Sequence, residues 1–68
     1  MKLSARNVLK GTVIEVTKGA VNAIVRIDIG GAVVSSSITI SAVEELGLKV
    51  GEQAYAVIKA SDVMIGRD

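Results

Sequence analysis

The twenty residues from Val21 to Ile40, V-N-A-I-V-R-I-D-I-G-G-A-V-V-S-S-S-I-T-I, decide the fold. Val21, Ala23, Val25, Ile27 and Ile29 share one face, while Asn22, Arg26 and Asp28 share the other with Ile24. Only an extended strand keeps such a period-two pattern on one side, since its side chains alternate across the pleat. Gly30-Gly31 then joins this run to a second one, a tight-hairpin signature because the favoured two-residue turns need positive φ. The second run, Ala32 to Ile40, places Val34, Ile38 and Ile40 on one face and Ser35, Ser37 and Thr39 on the other.

Upstream, Val8 to Thr17 reads as a strand with Val13 and Glu15 on one side and Thr12, Ile14 and Val16 on the other. Gly11 inside it marks a bulge or a close backbone approach. Lys18-Gly19-Ala20 is a turn. Downstream, Ser41 followed three residues later by Glu44 is a capping box that starts a short helix. Gly47 is placed to end it as a left-handed residue. Gln53 to Lys59 is a fourth strand, with Ala54, Ala56 and Ile58 opposite Tyr55 and Val57. Ser61-Asp62 breaks it, Val63-Met64-Ile65 forms a short fifth strand, and Gly66 to Asp68 fray. Three strands, a helix and two strands is the order of the oligonucleotide/oligosaccharide-binding barrel. The expected fold is all-β: one domain over residues 1–68, a five-stranded Greek-key barrel with one short helix, assembled as an oligomer.

Composition supports this. The 68 residues include 11 Val and 8 Ile but one Tyr and no Phe or Trp. β-branched side chains suit a pleated surface. A chain this short buries only ~60% of its unfolded surface, so it needs a staple. There is no Cys and no His, which excludes disulfides and removes the first-choice zinc ligands. Self-association is left as the source of further burial.

The same counts narrow the function. Without His or Cys, and with carboxylates scattered along the chain, no catalytic constellation stands out, and the chain is not read as an enzyme. A Ser-Lys dyad from Lys59 and Ser61 is formally available, but it needs a desolvated neutral Lys that nothing here indicates. The net charge is +1, with no basic run and a single aromatic, whereas single-strand nucleic-acid binders combine a basic groove with stacking rings. No apolar run reaches the ~20 residues of a membrane span. Met1-Lys2-Leu3-Ser4 leads straight into charged residues, unlike a signal peptide. The expectation is a cytoplasmic protein with no nucleic acid and no membrane among its partners.

Two segments are rich in donors, Ser4-Ala5-Arg6-Asn7 and Lys59-Ala60-Ser61-Asp62. In each, a cation and a hydroxyl lie two residues apart, hence on one face of an extended chain. Ala5 and Ala60 leave the neighbouring backbone N–H groups open. Arg supplies a planar fork of donors, Lys a point charge and Ser a hydroxyl, the parts of a pocket for an oxyanion. On the residues alone, a solvated strand end and a Ser-Asp turn are the commoner meaning of such segments. Lys18-Gly19-Ala20-Val21-Asn22 offers a third such segment, a small anion nest or simply a hairpin turn. Ser4 and Arg6 lie near one end of the chain and Lys59 and Ser61 near the other. So short a terminal segment frays on a monomer, so it is expected to be ordered by crossing onto a partner, with the pocket completed between chains.

The stretches S-A-R-N-V-L-K-G (Ser4–Gly11), K-G-A-V-N-A (Lys18–Ala23), E-E-L-G-L-K-V-G (Glu44–Gly51) and A-V-I-K-A-S-D-V-M (Ala56–Met64) together resemble the molbindins, small bacterial molybdate-binding proteins of the Mop/TOBE type. The resemblance covers residues 2 to 65. It extends to the molybdate-sensing half of certain regulators and to a domain of some molybdate-importer ATPases. It implies a barrel assembled as a homohexamer, a trimer of dimers, with oxyanion sites between subunits. It implies molybdate as ligand, tungstate as its surrogate, and no metal cation. Residue by residue, it implies binding by Ser4, Ala5, Arg6, Asn7, Lys59, Ala60 and Ser61. A second oxyanion site near the threefold axis would use Lys18, Gly19, Ala20, Val21 and Asn22. The short Gly30-Gly31-Ala32 turn and the Ser35-Ser36-Ser37 run depart from the family, so a contribution from the third strand near Ser37 to Ile40 stays open. With no helix-turn-helix and no P-loop in the sequence, the expected role is intracellular molybdenum storage or homeostasis; a nucleic-acid-binding barrel is the alternative.

Overall fold

The computed structural model describes residues 1–68. Four strands, β1 (Asn7–Lys18), β2 (Asn22–Asp28), β3 (Val33–Thr39) and β4 (Gln53–Ile58), are joined by one helix, α1 (Ile40–Leu46), and a single 3₁₀ turn at Ala60–Asp62. All pairings are antiparallel, in the order β3-β2-β1-β4. The sheet curls so that β2 and β4, two places apart, touch across its concave side.

The alternation of residues 21–29 sets the core. Ala23, Val25 and Ile27 are buried, joined by Val13, Val43 and Ala56, with Leu9, Val16, Val34 and Ile38 packed around them. The Gly30-Gly31 turn is as expected: both residues have positive φ, 88° and 93°. The Asp28 carboxylate caps it by accepting from the Gly30 N–H at 2.8 Å.

Three local expectations need correction. The bulge of β1 lies at Ile14, not Gly11: Val13 pairs with Ile27 and Glu15 with the next residue back, Arg26, so Ile14 has no partner. Gly11 is the close approach, the other of the two readings its sequence position allowed: a Cβ there would overlap the Asp28 carbonyl oxygen and Ile27 Cγ2. The bulge resets the phase, so Val13 and Val16, three apart, both reach the core. The helix cap is Thr39, whose hydroxyl accepts from the Ala42 N–H at 3.1 Å, rather than Ser41. The Ile40 N–H is already taken by the Val21 carbonyl at 2.9 Å, which fixes the helix start directly after β3. Gly47 ends the helix as read, at φ 62°, with Gly47 N–H bonded to Glu44 O and Leu48 N–H to Val43 O, a Schellman motif.

The third correction is the fifth strand. Val63-Met64-Ile65 joins no ladder, because the 3₁₀ turn lifts the chain off the line of β4. Met64 and Ile65 stand 92% and 90% exposed. The barrel is therefore open between β3 and β4. That gap is a groove of about 690 Å³ floored by Val25 and Ile27 and walled by Val34, Ile38, Leu48 and Ala56.

Candidate functional site

The donor segments are brought together by β1 and β4. Their ladder runs from Thr12↔Gln53 to a last rung at Asn7↔Ile58. Residues 4–6 enter that rung and residues 59–61 leave it, so both segments emerge side by side at one end of the sheet. Residues 4–6 make no backbone hydrogen bond to the rest of the chain, so the ladder sets where this segment starts and leaves the segment itself unanchored.

Local geometry differs between the two arms. Asn7 is half-buried and its Nδ2 donates to the Ile58 carbonyl at 3.1 Å. Ala5 is also half-buried, while Ser4 and Arg6 are exposed. On the other arm Lys59 is extended (φ −64°, ψ 142°) and precedes the 3₁₀ turn. Asp62 N–H donates to Lys59 O at 2.9 Å and Val63 N–H to Ala60 O at 3.3 Å, so Ser61 is held in a closed turn. Lys59, Ala60 and Ser61 are exposed. The one ion pair in the chain is Arg26–Glu15, at 3.5 Å on the outer face. Arg6 and Lys59 therefore have no carboxylate partner, and two cations share one sheet end. No three His, Cys, Asp or Glu side chains gather anywhere in the chain.

The third segment lies elsewhere. Lys18 ends β1 and Asn22 begins β2, at the opposite end of a 12-residue strand. Gly19 N–H donates to Asn22 O at 2.8 Å and Val21 O accepts from Ile40 N–H at 2.9 Å. Those groups serve the hairpin and the helix start. The N–H groups of Ala20 and Val21 make no bond within the chain and remain open beside Lys18.

Sequence reading missed two features. The apolar groove between β3 and β4 follows from the absent fifth strand and has no local signal. The second is the turn itself: Asp62, the last residue of the Lys59–Asp62 segment, closes the 3₁₀ turn directly after Ser61.

Comparison with known proteins agrees on one family. The pattern described as TOBE domain matches residues 3–65. A probable molybdenum-pterin-binding protein of Haemophilus influenzae is 60% identical over 67 residues, covering 97% of each chain. The structure of a molybdate-binding protein from Sporomusa ovata superposes with a TM-score of 0.93 at 37% identity, over 98% of this chain and 100% of that one. The cytoplasmic molybdate-binding protein ModG, in a form with molybdate bound, gives 0.89 at 52% identity, over 94% of this chain and 46% of ModG.

Proposed function

This chain belongs to the TOBE-domain family, and from that premise we propose that it binds molybdate at the end of the sheet where β1 begins and β4 stops. The observation that carries the reading is the convergence of Ser4–Asn7 with Lys59–Ser61 at the Asn7↔Ile58 rung, with Arg6 and Lys59 free of carboxylate partners. Molybdate is a tetrahedral dianion without a proton at neutral pH. It needs donors and positive charge, which these arms supply. A phosphate that keeps a proton would leave it unpaired among donors, at a cost of ~1–3 kcal/mol. Tungstate, of nearly the same size, binds alike. The Lys18–Asn22 turn, with two open N–H groups and a lysine, is the second oxyanion site.

The protein acts as a cytoplasmic molybdenum store or buffer, not as an enzyme, and works as a hexamer built as a trimer of dimers, with the sites at subunit borders. Support for assembly lies in how little one chain encloses. Six of 68 residues are buried, the groove is open, and Met64 and Ile65 have nothing to pack on.

Titration calorimetry of the purified protein with molybdate, tungstate and sulfate tests the function. Molybdate and tungstate should bind at comparable affinity and sulfate far more weakly. A protein giving no heat with molybdate would sink the reading.

A further inference from the structure

Asn7 occupies the one rung after which neither strand is held by the ladder. Its bond to Ile58 joins positions 51 apart and is the only side-chain hydrogen bond between the two arms. The bonds within the 3₁₀ turn brace the Lys59–Ser61 arm from inside but tie it to nothing upstream. A carbonyl only accepts, so Nδ2 must face Ile58 and the orientation of the carboxamide is fixed. Ile58 is the residue directly before Lys59, as Asn7 is directly after Arg6. The bond thus sits at the root of both arms.

We infer that Asn7 is a positioning residue rather than a ligand: its carboxamide sets the spacing of the Arg6 and Lys59 arms before an oxyanion arrives. This rests on the molybdate reading above. Two cations on neighbouring strands repel, and without a tie their segments splay apart in the empty protein. Binding must then order both arms, and that ordering subtracts from affinity. A clamp made within the chain removes that cost beforehand. The remaining Oδ1 is an acceptor, which suits a dianion poorly and a main-chain anchor well.

The test compares wild type with Asn7→Ala, Asn7→Gln and Asn7→Asp, by molybdate titration and by backbone order parameters of the ligand-free proteins. Asn7→Ala should lose about tenfold in affinity, the scale of one hydrogen bond. Amides of Arg6, Lys59 and Ser61 should fall from the rigid range near ~0.85 toward ~0.6. Asn7→Gln keeps a donor on a longer stem and should recover part of both. Asn7→Asp keeps the shape without the donor, so its ligand-free arms should loosen even where Asn7→Ala does not fold. Lost affinity with unchanged order parameters makes Asn7 a direct ligand and overturns the inference. Wild-type binding matched by Asn7→Ala overturns it too. A wild type that binds no molybdate overturns the molybdate reading itself and this role with it.

Discussion

Arg6 and Lys59 are the cations of the two donor segments, and they differ in what they can offer. The guanidinium presents a fixed fork, the ammonium a point charge on a flexible stem. Arg6 is exposed and makes no contact that holds the fold. Arg6→Ala should therefore weaken molybdate binding about tenfold to a hundredfold, the value of one charge-assisted hydrogen bond, with little change in thermal midpoint. Arg6→Lys should recover only part. Calorimetry beside a melting curve checks both, and equal affinity in mutant and wild type would remove Arg6 from the site. The residue types of the site were legible from sequence because a cation and a hydroxyl flank a small residue in both arms, in opposite order. Their meeting was not, since it depends on a ladder between segments about fifty residues apart. The Asn7 amide bond was equally hidden, for an Asn before a strand usually reads as a turn former.

At the scale of elements, a signal was readable when the element itself carried it. The alternation of β2 and the Gly47 stop are local patterns, and both stand. The bulge at Ile14 is not local, because an unpaired residue is defined by its partner strand, and Gly11 drew the eye instead. The helix start was misplaced for a similar reason. Ser41–Glu44 matches a capping box, but the anchoring of Ile40 by the Val21 carbonyl fixes the first turn earlier and makes Thr39 the cap. Thr39→Ala should thus cost about 1 kcal/mol, a fall of about 4–8 °C in midpoint for a domain of this size. Ser41→Ala should be close to neutral. Thermal unfolding of the two variants side by side decides, and a larger loss for Ser41→Ala would return the cap to the sequence motif.

For the whole molecule, an open half-barrel with an exposed apolar tail is incomplete alone. Sedimentation should show a species near six times the chain mass, and a compact monomer at micromolar concentration would defeat the assembly. Molybdate bridging the arms should raise the midpoint, since it adds ~2.7 kcal/mol of stability per site at a hundredfold excess over Kd. Removing residues 1 to 7 should abolish that response, and a shift that survives the truncation would place the ligand elsewhere. The groove in which copies could meet exists because the sheet curls, and bulges such as the one at Ile14 bend and twist the strand that carries them. That makes Ile14 unlike its neighbours when a residue is lost. Losing one codon elsewhere in β1 turns half the strand inside out. Losing Ile14 leaves Val13 opposite Ile27 and Glu15 opposite Arg26, with every face preserved. Within β1, it is the position where the gene can shorten by a single codon and still encode the same sheet, only flatter.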